Sequence, residues 1–290
     1  MNRLAEIIAK KKQRVATSKD VVPRAALEMI ARWTRESART HALRDALIHD
    51  DRMNIIAEFK RRSPSKGSIS GDADPATVAR LYERGGAAAM SVLTEEDFFG
   101  GSLDDLRAVR QQTSLPILRK DFIIDEYQVY ESAAAGADAL LLIVAAMDDN
   151  SLRRLRELTE NELAMEALVE VHTRDEMQRA IDCGASIIGV NNRNLATFEV
   201  SLSTSIELAG SAPDGTILIS ESGIETREDI NRLRDAGYHG LLIGETLMRA
   251  DDPETLLKEF TNMVADAEDE ADNALGTVDF PPPLGGQKLD

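Results

Sequence analysis

The chain is short of cysteine: Cys183 stands alone in 290 residues. A lone cysteine excludes an internal disulfide and a cysteine-rich zinc site. Long apolar runs are missing too. The longest extends from Ala139 to Met147, well short of the ~20 residues that span a bilayer. The N-terminal stretch meets Glu6 before any long hydrophobic segment, which argues against a secretory leader. Basic charge is the third shortage, with 34 Lys plus Arg against 51 Asp plus Glu and a net charge of −17. Such a chain repels nucleic acid and anionic lipid unless it carries a local basic patch. The one candidate patch, Lys10-Lys11-Lys12, reads as the solvated face of an N-terminal helix. A soluble, cytoplasmic chain with no nucleic-acid or membrane partner is the expectation.

What is present is alternation. Short apolar runs rich in Ile, Leu and Val occupy Asn54–Phe59, Ala88–Leu93, Leu115–Leu118, Asp138–Val144, Ala164–Val171, Ser186–Val190, Thr216–Ser220 and Gly240–Ile243. Most are nearly continuous rather than alternating, as strands covered on both faces are. Helical spacing fills the gaps, from Pro75–Arg84 to a last helix running from Pro253 to about Val264. Start signals include Asp74-Pro75 and the capping pattern Thr173-x-x-Glu176, and stop signals include Gly85, Gly136, Gly184 and Gly237. Parallel strands joined by helical crossovers follow. The fold class is α/β, and eight units predict a single closed (β/α)8 barrel over residues 51–264. An open doubly wound sheet is the alternative, weakened by the lack of GxGxxG after the first strand. A leucine-rich solenoid lacks its asparagine ladder here. Residues 1–50 read as a helical extension that caps the barrel or covers its mouth, with Trp33 and its helices able to approach it. Residues 265–290, acidic and carrying Pro281–Pro283, read as a disordered tail.

Function in a barrel sits at the C-terminal ends of the strands. Those ends carry Glu58 and Lys60, Lys120 and Asp121, Glu170, Asn191 and Arg193, Glu221-Ser222-Gly223, and Gly244-Glu245. One charged residue on the interior side of a strand can be a structural ion pair; several converging on one mouth read as an active site. The glycines after strands seven and eight add a second signal. Alone, each is an ordinary turn glycine, but paired they point to backbone amides that hold a phosphate.

The segment Ile55-Ile56-Ala57-Glu58-Phe59-Lys60-Arg61-Arg62-Ser63-Pro64-Ser65-Lys66-Gly67 resembles the signature of the indole-3-glycerol-phosphate synthase family. The resemblance continues through Phe99-Gly100-Gly101-Ser102, Leu118-Arg119-Lys120-Asp121-Phe122-Ile123, Leu168-Val169-Glu170-Val171, Gly189-Val190-Asn191-Asn192-Arg193-Asn194-Leu195, Ser220-Glu221-Ser222-Gly223-Ile224 and Leu242-Ile243-Gly244-Glu245. It spans about residues 1–264, with Asn194 where the family has Asp. It implies conversion of 1-(2-carboxyphenylamino)-1-deoxyribulose 5-phosphate to indole-3-glycerol phosphate, CO2 and water in tryptophan biosynthesis, with no metal or organic cofactor. Lys120 is then the acid for ring closure. Glu58, Glu170 and Lys60 share the dehydration steps as a coupled set. Asn191, Glu221 and Ser222 orient the substrate, while Lys60, Ser63, Gly223, Gly244 and the Glu245 amide hold its phosphate. Arg193 binds substrate or positions its loop. The expected partner is that small phosphorylated molecule, and the expected state is a monomer or weak homo-oligomer. Two rivals stay open: another phosphosugar barrel enzyme such as phosphoribosylanthranilate isomerase, and a catalytically silent ligand-binding protein on the same barrel.

Overall fold

A computed structural model describes residues 3–49, 51–63, 67–194 and 197–262. The tail expectation for 265–290 and the polyproline segment within it lie outside the described residues.

Eight parallel strands close on themselves in chain order. They are β1 (Asn54–Phe59), β2 (Ala89–Leu93), β3 (Ile117–Lys120), β4 (Ala139–Ile143), β5 (Glu166–Val171), β6 (Ile187–Asn191), β7 (Ile217–Glu221) and β8 (Gly240–Ile243). β1 seals the barrel against β8, with Asn54 opposite Gly240 and Ala57 opposite Ile243. This is the (β/α)8 TIM barrel, and the open-sheet alternative falls. Both faces of every strand are covered, so the runs carry apolar residues without alternation. One set, including Ile56, Ala89, Leu118, Leu141, Leu168, Ile187, Ile219 and Leu242, fills the interior. The other, including Ile55, Met90, Ile117, Leu140, Val169, Ile188, Leu218 and Leu241, packs outward under the helices.

The N-terminal helices are α1 (Arg3–Val21), α2 (Arg24–Glu36) and α3 (Ala42–Leu47). They serve both ends of the barrel. Leu43 and Leu47 of α3 join the interior cluster and plug its N-terminal end. There the Asn54 side-chain amide donates to the Leu47, His49 and His239 carbonyls at 2.8–3.0 Å. α1 instead borders the mouth with Arg3, Leu4 and Ile7. Trp33 does not reach the mouth; it is 73% exposed on the surface of α2. The reading of Lys10–Lys12 as solvated also needs correction. Lys11 is buried, 2.8 Å from Asp121 and 3.2 Å from Glu96. Arg119 binds the other oxygen of Asp121 at 2.9 Å. That network ties α1 to the residue after Lys120.

The barrel helices are α4 (Pro75–Arg84), α5 (Leu103–Arg110), α6 (Glu126–Ala134), α7 (Asp149–Glu157), α8 (Arg174–Asp182), α9 (Ser203–Ala209), α10 (Arg227–Asp235), α11 (Glu245–Arg249) and α12 (Pro253–Thr261). All but α9 and α11 start on a side-chain cap. Asp74 accepts from the Ala76 and Thr77 amides, and Thr226 with Asp229 completes a reciprocal box. At α8 only half the expected box forms. Thr173 accepts from the Glu176 amide at 3.2 Å, but the Glu176 carboxylate passes the cap and takes the His172 amide at 2.7 Å. β3 begins two residues later than the apolar run suggests. Pro116 has no N–H to give, and the Ile117 amide donates to Asp138 instead.

Candidate active site

Interior positions repeat every second residue along a strand. Beyond Ile56, Leu118, Leu168 and Ile219, the next interior positions toward the C-terminal end are Glu58, Lys120, Glu170 and Glu221. All four are buried or nearly so. Four ionisable groups at one level of an apolar tube must pair, because unpaired burial costs several kcal/mol per ion. They do pair. Lys120 Nζ lies 3.0 Å from Glu170 Oε2 and 2.8 Å from Glu221 Oε2. Glu58 accepts from Lys60 Nζ at 2.6 Å.

Room for these carboxylates comes from two glycines. A Cβ at Gly189 of β6 would sit 2.1 Å from Glu221 Oε1, and one at Gly244 would sit 2.4 Å from Glu58 Oε1. No side chain fits at either place without displacing the acid.

The electrostatics are uneven. Burial opposes the charge on Lys120, but Glu170, Glu221 and Glu58 outweigh it and hold the ammonium above the ordinary lysine range. Burial also pushes Glu221 up to about 7, with repulsion from Glu170 and Glu58 added to it and Lys120 opposing. Glu170 goes the other way. Its burial is outweighed by Lys120, His172 and a hydrogen bond from Asn191, so it stays below the usual carboxylate range. The pair of acids on one lysine therefore splits into a charged member and one poised near neutrality.

The mouth above them is a cavity of about 540 Å3, within the ~300–1,000 Å3 of small-molecule sites. Glu58, Lys60, Ser63, Lys120, Glu170, Asn191, Arg193, Glu221, Ser222, Gly223, Gly244 and Glu245 all line it, so every residue singled out from the sequence meets in one place. Asn191 accepts the Arg193 amide at 3.0 Å, and Arg193 bridges to Val200 across the β6 loop. After β7 the chain turns through two successive left-handed residues, Ser222 (φ 70°) and Gly223 (φ 78°). A non-glycine residue held there marks a turn fixed by its surroundings. Gly244 caps α11 after β8. Asp121 also lines the mouth, but its carboxylate is taken up by the Lys11–Arg119 network.

Sequence reasoning missed the apolar wall. Phe99 and Phe122 face each other with centroids 6.3 Å apart, and Leu4 and Ile7 of α1 complete that side. The two phenylalanines lie within the segments that carry the family resemblance, beside Gly100 and Asp121 respectively. Their neighbours were the available signal. Among the described residues no three His, Cys, Asp or Glu side chains converge as metal ligands.

Comparison with solved structures bears on the fold. Thiamine phosphate pyrophosphorylase from Pyrococcus furiosus superposes with a TM-score of 0.55 at 16% identity, covering 81% of this chain and 100% of that one. N-acetylmannosamine-6-phosphate 2-epimerase from Clostridium perfringens gives 0.55 at 15%, covering 81% and 97%. Sequence relatives are much nearer. The indole-3-glycerol phosphate synthase of Carboxydothermus hydrogenoformans is 45% identical over 254 residues, covering 86% of this chain and 96% of that protein. That of Bacteroides thetaiotaomicron is 44% identical over 261 residues, covering 90% and 98%. The family model for indole-3-glycerol phosphate synthase matches residues 4–260. With that match spanning the whole barrel and these identities beside it, the chain belongs to the indole-3-glycerol phosphate synthase family.

Proposed function

We propose that this barrel closes, decarboxylates and dehydrates 1-(2-carboxyphenylamino)-1-deoxyribulose 5-phosphate to indole-3-glycerol phosphate, with Lys120 as the acid of ring closure. Membership of the family makes the chain a carboxy-lyase of tryptophan biosynthesis acting on a small phosphorylated substrate. The observation that carries the mechanism is Lys120, held between Glu170 and Glu221 at the base of the mouth.

Ring closure joins an aromatic carbon to the ketone carbon and puts negative charge on the ketone oxygen. An ammonium kept protonated by three carboxylates supplies both a proton and a countercharge to that oxygen. Departure of the carboxylate as CO2 restores the aromatic ring. Dehydration then removes a proton from carbon and expels the hydroxyl as water, and the Glu58–Lys60 pair, with Glu170 lining the same cavity, offers base and acid. Glu221, Asn191 and Ser222 orient the substrate's polar groups. The Phe99–Phe122 wall suits the planar aromatic ring. Lys60, Ser63, Gly223, Gly244 and the Glu245 amide hold the phosphate and Arg193 binds substrate or positions its loop; that all six line one mouth supports this. A monomer or weak homo-oligomer acting in the cytoplasm goes with the biosynthetic role. Among the described residues no helix is long and apolar enough to cross a membrane.

Incubating the chain with the carboxyphenylamino-deoxyribulose phosphate tests the proposal. Growth of indole fluorescence with release of one CO2 is the expected result. Binding without fluorescence would leave a silent ligand-binding barrel.

A further inference from the structure

The mechanism above leaves unused a partly buried histidine and a second cavity. His172 follows β5 directly and is 10% exposed. Its Nε2 lies 3.4 Å from Glu170 Oε1, and its Nδ1 lies 3.2 Å from Glu176 Oε2 in the first turn of α8. Glu176 is itself fixed by accepting the His172 amide. On the far side, Glu170 Oε2 touches Lys120. An unbroken line of ionisable groups thus runs from Glu176 through His172 and Glu170 to the proposed acid. Its outer end opens into a side cavity of about 460 Å3, where His172, Thr173, Glu176, Asn192 and Thr204 form much of the wall. Leu4, Asn191 and Arg193 line both this cavity and the mouth.

The chemistry requires a supply of protons. The ketone oxygen leaves as water and takes two. Carbon gives back one during dehydration. The substrate enters as a carboxylate and leaves as CO2, which carries none. One proton per turnover must therefore come from solvent, while the bound substrate fills the mouth over Lys120.

Resting on the function proposed above, we propose that His172 is a proton shuttle that recharges Lys120, through Glu170, from the side cavity. The imidazolium gives its Nε2 proton to Glu170 Oε1. The neutral carboxyl rotates and passes that proton to the Lys120 amine, returning to carboxylate. The ring turns about Cβ–Cγ, presents its bare nitrogen to the side cavity and takes a proton from water there. Every proton given is replaced and no electrons change hands. His172 touches no reacting atom, so it is a positioning residue that works through Glu170. Its Nε2 makes no hydrogen bond among the described residues, and the loose approach to Glu170 is the geometry that tightens when substrate binds. Glu170 faces the ring from β5, Glu176 from α8 and Glu221 from β7. Burial disfavours the imidazolium, but these three acids outweigh it and keep it above the ordinary histidine range, so a proton is available near neutral pH.

The test uses the full chain with His172→Gln and His172→Ala, both checked by thermal melting. The shuttle expects kcat to fall about tenfold or more in each, with KM little changed. The loss should deepen above neutral pH, the solvent deuterium isotope effect on kcat should rise, and added imidazole should restore His172→Ala alone. Variants within about twofold of the parent would overturn it, as would slow variants with an unchanged isotope effect and no imidazole rescue. An active parent with unaffected variants removes the shuttle alone; a parent that makes no indole removes the function and the shuttle together.

Discussion

Replacing Lys120 with methionine keeps most of the side-chain volume and deletes one proton and one charge. Two losses are expected, and pH separates them. The first is stability. Glu170 and Glu221 are 3% and 1% exposed, and Lys120 is the cation in contact with both. Removing one partner of a buried pair costs about 3–5 kcal/mol. Most of that falls on Glu170, since Glu221 is already pushed up to about 7 by burial and is partly protonated at neutral pH. Without the lysine, burial should push both carboxyl groups above their unfolded value of 4.5. The folded state then binds more protons than the unfolded, and stability falls as pH rises from about 4.5. In the parent, Lys120 is raised, so its contribution persists through neutrality and is lost only as pH climbs through its folded pKa. The melting gap between parent and variant should widen from pH 5 to pH 8, reaching about 6–20 °C for a barrel of this size. The second loss is rate. Measured near pH 6, where the variant is folded, turnover should drop at least about a hundredfold, with substrate affinity changed far less. Turnover within a few-fold of the parent would refute the assignment and pass the acid role to Lys60. A melting gap equal at pH 5 and pH 8 would refute the ion cluster.

Gly244→Ala places a methyl 2.4 Å from Glu58 Oε1, so it should lower kcat by pulling Glu58 off Lys60; a change confined to KM would show that Gly244 serves the phosphate alone. Lys11→Met removes one of the two cations on buried Asp121, leaving Arg119 and Thr94 on it, and should cost about 1–3 kcal/mol in denaturant melts. Because Leu4 and Ile7 on the same helix line the mouth, its KM should rise as well. Glu221→Gln fixes the neutral form that burial already favours. It should melt above the parent at pH 8 and level with it near pH 5, while turning over more slowly; equal melting at both values would show that Glu221 carries no burial penalty.

Much of the fold was legible because a barrel strand is covered on both faces. A continuous apolar run ending in a charged residue then has one simple meaning, and Glu58, Lys120, Glu170 and Glu221 each end such a run. The errors share a cause. Lys11 shows its charge in the sequence but not its partner, and Asp121 lies on a strand end far along the chain. Thr173-x-x-Glu176 signals a cap, and the cap does form at Thr173. Nothing in that spacing reveals that the Glu176 carboxylate turns to His172 instead. The late start of β3 came from counting Leu115 and Pro116 by hydropathy, when the missing N–H of Pro116 decides where the ladder begins.

The two interior glycines show why composition and pattern stop short of a site. In a sequence, Gly189 inside a strand reads as a weak point and Gly244 as a turn. Inside the closed barrel each is the absence of a side chain at the level where an acid from another strand needs space. Glu221 bends over Gly189, and Glu58 over Gly244. The interior of an eight-stranded barrel is just wide enough for side chains to fill. Carboxylates at that level can remain paired with lysine only if neighbouring strands give up volume. The charged cluster and the glycines are therefore one feature spread over several strands, and no single stretch of sequence contains it.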